Sequence, residues 1–345
     1  MKKLLYIASA VALVACGSSK ETASTDNEAT TDQAAKYAKT ITAKDLGKHL
    51  FIYASDEFEG RNTGEPGQKK AVKYLKDFYV GQGIASPLGG DDYFQEVPSE
   101  YLSNNRRGMT LKDSENVVAF IKGTEKPDEI VVISAHLDHE GVKNGEIYNG
   151  ADDDGSGTVA ILEIAEAFKQ AADAGKGPKR SILFLHVTGE EKGLLGSKYY
   201  TENPIFPLAN TVTNLNIDMI GRVDDRHKGN PNYVYLIGSD KLSTELHNIS
   251  EAMNKKYTNI DLDYKYNDDN DPNRFYYRSD HYNFAKHNIP IIFYFNGTHA
   301  DYHRPTDTPD KINYEMLENR ARLVFYTAWE VANRENRVVV DKAAE

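Results

Sequence analysis

Ile130-Val131-Val132-Ile133-Ser134-Ala135-His136-Leu137-Asp138-His139, followed shortly by Gly150-Ala151-Asp152-Asp153-Asp154-Gly155-Ser156-Gly157, decides how this chain folds. The first six residues are an apolar, β-branched run of the kind that fills the middle of a parallel sheet, and the run stops at a histidine. After the aspartates, Val159, Ile161, Leu162, Ile164, Ala165 and Phe168 recur at helical spacing, which predicts a helix from Gly157 to about Ala172. Two further runs repeat the pattern. Ser181 to Val187 leads to Glu190-Glu191, and Val212 to Ile217 leads to Asp218. Strand, helix, strand is the βαβ unit, and in open sheets of this kind ligands collect at the carboxyl ends of the strands. His136, the aspartates Asp152 to Asp154, Glu190, Glu191 and Asp218 are therefore expected along one edge of an α/β sheet, joined by His303 from beyond the run Ile289 to Phe295.

The residue types suit metal-assisted hydrolysis. A borderline-soft divalent ion such as zinc takes imidazole nitrogen and carboxylate oxygen, and a catalytic site keeps one position open. Two histidines and three carboxylates hold two zinc ions if one carboxylate bridges them, and such a pair activates water and polarises a carbonyl. A carboxylate outside the ligand set is then needed to carry the proton from water to leaving group. Glu190, beside Glu191, has that position.

With these residues in place, the chain from about Leu46 to Asn333 resembles the co-catalytic zinc exopeptidases typified by secreted bacterial leucine aminopeptidases. The resemblance extends to Asp56-Glu57-Phe58-Glu59-Gly60-Arg61 and to the helix after Gly64-Glu65-Pro66-Gly67. It implies a three-layer α/β/α sandwich around a mixed, mostly parallel sheet, and removal of amino-terminal residues from peptides. It also implies that His136, Asp153 and Asp218 hold one zinc and that Asp153, Glu191 and His303 hold the other, with Asp153 as the bridge. Asp138 would fix the His136 tautomer, and Glu190 would act as base and acid. In relatives, the region of Tyr276-Tyr277-Arg278-Ser279-Asp280-His281 lines the substrate pocket, so Tyr276 is a candidate donor to the developing oxyanion and Asp280 a candidate substrate contact. Rival readings are a carboxypeptidase or dipeptidase, a single-zinc glutaminyl cyclase of the same fold, and a non-catalytic peptidase-like domain. The intact ligand series argues against the last two.

Other polar residues have plainer readings. Asp152 to Asp154 also suit capping of the helix that follows, a role left to those that hold no metal. His49, His227, His247 and His287 read as surface or partly packed residues, His186 lies within a strand, and His139 and His299 flank the site. Asn267 to Asn273 is rich in oxygen but lacks the spacing of a calcium loop, and reads as a solvated turn. Pro87 to Asp113 reads as an irregular excursion near the site.

The chain has 345 residues, 40% of them hydrophobic, enough for one large α/β domain. Its net charge of -11 argues against a nucleic-acid partner, which would want a basic patch. A monomer acting on peptides is expected. Lys2-Lys3 and the apolar run Leu4 to Val14 read as a signal peptide, and the lone cysteine, Cys16, follows Leu13-Val14-Ala15 in an arrangement that resembles the lipobox of bacterial lipoproteins. Gly17 rather than aspartate follows, which in that resemblance favours the outer membrane. The expected organisation is a signal at 1–15, a tether at 16–38 rich in Ser, Thr, Ala, Asp and Glu, and a peptidase domain at 39–345, carried on the bacterial cell envelope by a lipid anchor alone.

Overall fold

The computed structural model describes residues 33–104 and 108–342. The signal segment, Cys16, most of the expected tether and Asn105 to Arg107 lie outside these residues.

The described chain begins with helical residues 33–38 (α1), followed by α2 (Ala43–Tyr53) and α3 (Pro66–Gly81). Thr42 starts α2 by accepting the Asp45 N–H, and Pro66 at the first turn of α3 lacks an N–H that would have no helical partner. Then come β1 (Phe94–Val97), α4 (Ser99–Ser103), β2 (Ser114–Ile121), β3 (Lys126–His136), β4 (Gly141–Lys143) and β5 (Glu146–Tyr148). After α5 (Gly157–Asp173) follow β6 (Arg180–Val187), α6 (Leu195–Glu202), β7 (Thr211–Ile217) and β8 (Tyr233–Ile237). The chain ends with α7 (Thr244–Met253), β9 (Asp261–Asp263), α8 (His281–Ala285), β10 (Ile291–Phe295) and α9 (Tyr314–Asn333).

Eight strands form one mixed sheet in the order β1-β2-β6-β3-β7-β10-β8-β9. The central block β6-β3-β7-β10 is parallel throughout. Its strands are buried on both faces, which is why they read as continuous apolar runs rather than alternating ones. Val131, Ile133 and Phe184 face a core built with α1, α2, α3, α5, α7 and α9, while Val132, Leu183 and Leu185 face Tyr200 of α6 and Phe284 of α8. That is the expected α/β/α sandwich. Phe168 of α5 packs on Phe325 and Trp329 of α9 at centroid distances of 4.8 and 5.6 Å. Its complete burial contributes roughly 1.5–3 kcal/mol.

One boundary moves. Ala34, Tyr37 and Ala38 are buried in the core, and Tyr37 stacks on Trp329 at 6.0 Å. The folded body therefore includes 33–38, which the polar composition before it had assigned to a tether. No helix among the described residues is long and apolar enough to cross a membrane.

Candidate metal centre

The order β6-β3-β7-β10 decides what converges. Adjacent parallel strands lie about 4.8 Å apart, so residues just beyond their carboxyl ends share one rim. β6 brings Glu190 and Glu191, β3 brings His136, β7 brings Asp218, and the loop after β10 brings His303.

Asp153 reaches the middle from the turn at 151–156 that precedes α5. Its neighbours show why it alone is available. Asp154 accepts the N–H of Gly157 (2.9 Å), of Met219 (3.1 Å) and of His136 (3.2 Å), tying the start of α5 to the ends of β7 and β3. Asp152 accepts the N–H of Gly221 at 2.7 Å and lies 3.1 Å from His299 Nε2. Both outer aspartates are thus consumed by structure. The turn is held from outside by Asp307, whose Oδ2 accepts the N–H of Asp152 and of Asp153 at 3.0 and 3.2 Å. Gly150 opens it in the left-handed region at φ 53°, where a Cβ would come within 2.5 Å of the His139 ring.

The central carboxylate meets two groups. On one side His136 Nε2 lies 3.1 Å from Asp153 Oδ1 and 3.7 Å from Asp218 Oδ1. On the other, His303 Nε2 lies 2.9 Å from Asp153 Oδ2 and 3.4 Å from Glu191 Oε2. His139 approaches the second group from below, with Nδ1 at 2.8 Å from Glu191 Oε1 and 3.8 Å from Asp153 Oδ2. His136, Asp153 and Asp218 form one cluster able to hold a metal ion, and His139, Asp153 and Glu191 form another. His303 occupies a left-handed backbone conformation (φ 54°), a cost accepted to aim its ring inward.

Zinc bonds of about 2.0–2.2 Å at tetrahedral angles place neighbouring ligand atoms about 3.3–3.5 Å apart, and the separations around Asp153 bracket that spacing. His136 Nε2 and Asp153 Oδ2 are moreover buried with close polar neighbours but no well-aligned hydrogen bond, an arrangement that a shared cation would satisfy. The donor set fits a borderline-soft divalent metal.

The electrostatics point the same way. Burial raises Glu190 and Glu191 well above the usual carboxylate range, and Asp153, Asp218 and Asp280 nearby push in the same direction. Burial would lower His136, yet Asp153 and Asp218 beside it raise it well above its ordinary value. His303 is likewise lowered by burial but carried up to about 9 by Asp153, Glu191 and Glu140. His139, where burial dominates, falls to about 4. The pocket holds more anionic groups than its imidazoles neutralise, a balance that positive charge would restore.

Around this centre the structure corrects three expectations. Asp138 does not fix His136 through its carboxylate: the backbone carbonyl of Asp138 lies 3.0 Å from His136 Nδ1, whereas its Oδ1 is 3.9 Å away. The carboxylate instead accepts the N–H of Glu190 (3.1 Å) and the hydroxyl of Thr63 (2.7 Å). Tyr276 lines a separate pocket with Lys241 and Asn267, its ring centroid 5.0 Å from Lys241 Nζ; successive side chains of the 3-10 turn Phe275–Tyr277 are rotated by about a third of a turn, and it is Tyr277 that faces the main cavity. Asp280 is fully buried behind the site, accepting the Ser197 hydroxyl, with burial raising its carboxyl to about 7. Tyr101, Tyr277, Tyr282 and Tyr302 line the cavity, and of these only Tyr302 also lines the small pocket over Asp153, Glu190 and Asp218, where its ring stacks on His303 at 3.9 Å.

Sequence reasoning also missed Ser279 and the part played by Arg61. Ser279 Oγ donates to Asp218 Oδ2 at 2.6 Å and accepts from Asn216 at 2.9 Å, and Asn216 in turn accepts from Ser134 at 2.7 Å. The polar residues inside β3 and β7 thereby align a carboxylate at the strand end. Arg61, buried, donates to the carbonyls of Leu137 (3.2 Å), Asn149 (2.7 Å) and Gly150 (2.8 Å), bracing both flanks of the centre. In the 267–273 loop, Asp268 and Asp271 accept from backbone two residues on, at 2.8 and 3.0 Å, as in a solvated turn. Tyr101 and Asn104 bring the 87–113 excursion to the cavity.

Residues 116–328, more than half of the chain, match the peptidase family M28. The chain belongs to peptidase family M28. Among curated members, it is 27% identical over 303 residues to leupeptin-inactivating enzyme 1 of Streptomyces exfoliatus, covering 81% of this chain and 59% of that protein. It is 35% identical over 113 residues to the rat aminopeptidase NAALADL1, covering 32% of this chain and 14% of that one. The M28 chain thus spans less than two thirds of these relatives' length. Among solved structures, the Legionella pneumophila LapA aminopeptidase superposes with a TM-score of 0.67 at 21% identity, over 89% of this chain and 76% of that one. BSAP, a zinc aminopeptidase from Bacillus subtilis, does so at 0.65 and 18%, over 86% and 96%. At such identities these structures speak to the fold, which agrees with the zinc exopeptidase architecture.

Proposed function

We propose that this M28 protein is an aminopeptidase that uses two zinc ions, one held by His136, Asp153 and Asp218 and the other by Asp153, Glu191 and His303, with His139 steadying Glu191. The observation that carries the reading is the position of Asp153 between two imidazole–carboxylate groups, with Glu190 on the wall of the adjoining cavity of about 610 Å³. Bound zinc would supply Lewis-acid polarisation of the scissile carbonyl and a more acidic water.

The chain's own residues do the rest. Glu190 takes the proton of the attacking water and returns it to the leaving amine, a two-way transfer suited to a carboxyl whose pKa burial has raised. Asp138 holds the Glu190 backbone in place. Tyr302 presents its hydroxyl where the carbonyl oxygen gains charge. Glu190 and Glu191, the acidic side chains on the cavity wall, face the substrate's free amine. On the same reading, Cys16 is acylated and tethers a monomer to the outer membrane of a bacterial envelope; these residues lie outside those described.

The test is a panel of peptides with free, acetylated and glutaminyl amino-termini, incubated with the protein with and without a zinc chelator. Chelator-sensitive release of the first residue from free amino-termini only is expected. Cleavage of acetylated peptides from the carboxyl end would replace this reading with a carboxypeptidase, and pyroglutamyl product would replace it with a cyclase.

A further inference from the structure

The chain carries 52 acidic and 41 basic residues, yet the cavity beside the metal centre has the opposite balance. Lys192, Lys198, Arg278 and Lys286 line it, and among the described residues its only acidic lining groups are Glu190 and Glu191 at the centre itself. The four cations come from the β6–α6 turn, from α6, and from either side of α8. They are separated in sequence but gathered in space.

We propose that this cationic wall selects substrates bearing a carboxylate on the part that lies beyond the scissile bond. The inference deepens the aminopeptidase reading and rests on it. A peptide whose amine sits at the acidic end of the cavity directs its next residue away from Glu190 and Glu191, toward the cations. Arg278 is the best placed. It lines both the main cavity and the small pocket over Asp153, Glu190 and Asp218. Its guanidinium lies over the Phe275 ring at 4.7 Å, and Nη2 is 3.5 Å from Tyr302 Oη. No carboxylate among the described residues lies within ion-pair distance of it, so its planar fork remains to receive one. Lys286, 5.5 Å from the Tyr282 ring centroid and close enough to Glu202 to join Lys198 in lowering its carboxyl, adds further positive charge to the cavity. Lys198 is partly neutralised by Glu202 at 2.8 Å and adds less. Leu194, Leu195, Tyr277 and Tyr282 provide low-dielectric walls that keep this field from being fully screened.

The carboxylate has two possible sources: an acidic side chain at the second residue, or the terminal carboxylate of a dipeptide. Four substrates separate them: Leu-Gln-amide, Leu-Glu-amide, Leu-Gln and Leu-Glu. The expected result is a kcat/KM roughly ten-fold higher for a carboxylate form than for Leu-Gln-amide at about 20 mM salt, shrinking at about 500 mM as screening shortens the field. A gain confined to Leu-Glu-amide assigns the side chain, and a gain confined to Leu-Gln assigns the terminus. Arg278→Gln, and separately Lys286→Gln, should bring the ratio toward one; the second guards against misfolding of the first. Equal kcat/KM for all four substrates overturns the proposal. Cleavage of Leu-Gln-amide itself tests the aminopeptidase reading, so the two fail separately. Without turnover, calorimetric affinities of the same peptides give the ratio, and equal affinities overturn it as well.

Discussion

The carboxylate of Asp138 accepts the backbone N–H of Glu190 at 3.1 Å. The strand end that supplies His136 thus also positions the proposed base in the turn just beyond the neighbouring strand. Asp138→Ala removes this acceptor and the partner of Thr63, and should lower kcat about 10–100-fold. Asp138→Asn keeps an oxygen for Glu190 and should retain most of the rate. Equal losses in the two variants, measured on one peptide substrate, would mean that the charge of Asp138 matters rather than the position it imposes.

Glu190→Gln is expected to keep both metals while kcat falls roughly 10²–10⁴-fold. His303→Ala should instead lower metal content, because it removes the only imidazole proposed as a ligand of the second ion. Elemental analysis beside steady-state kinetics distinguishes the two, and unchanged metal in His303→Ala would remove that residue from the ligand set.

The two tyrosines can be separated by a single atom each. Tyr302→Phe deletes a hydroxyl inside the cavity and should cost about 10² in kcat/KM, whereas Tyr276→Phe alters a phenol in another pocket and should cost less than about three-fold. The reverse ranking would restore Tyr276 to the chemistry.

Stability should fall on acidification for a reason remote from the metals. His186 and His281 are fully buried, and desolvation lowers each to about 3. Between that value and the ordinary value of about 6.5 the unfolded chain binds protons that the folded chain refuses. Their contribution is thus fully present above about 6.5 and is lost as pH falls, at about 1.4 kcal/mol per unit for each histidine. His186 Nε2 lies 2.6 Å from Tyr79 Oη, and glutamine offers that hydroxyl an oxygen. Urea unfolding of wild type and His186→Gln from about pH 7.5 to about pH 5 should show a slope shallower by about one proton in the variant. Identical slopes would show that His186 protonates freely in the fold.

Much of the site could be read before the fold was known. His136, Glu191 and Asp218 follow runs whose uniform apolarity marks buried parallel strands, and such strands deliver their carboxyl ends to one rim. Tyr302 and Arg61 were not legible as a cavity phenol and a carbonyl clamp, because nothing local distinguishes them from any other tyrosine or arginine. The 33–38 helix escaped for a related reason: Tyr37 is one aromatic among polar neighbours, and its partner, Trp329, lies at the far end of the chain.

The sequence by itself determined the α/β class, the strand ends where the ligands sit, and the donor types that suit zinc, since periodicity and side-chain chemistry are local properties. The tertiary structure supplied the physical reason why the middle of three consecutive aspartates faces the centre, which the sequence had offered only through the family motif. Asp152 and Asp154 are taken by N–H groups from Gly221, Met219 and His136, and that depends on which strands lie side by side. It also decided that Tyr302 rather than Tyr276 lines the cavity and that Lys192 and Lys286 line the same one. Hydrogen-bond saturation and electrostatic fields depend on distances in space, which sheet order sets and sequence separation does not.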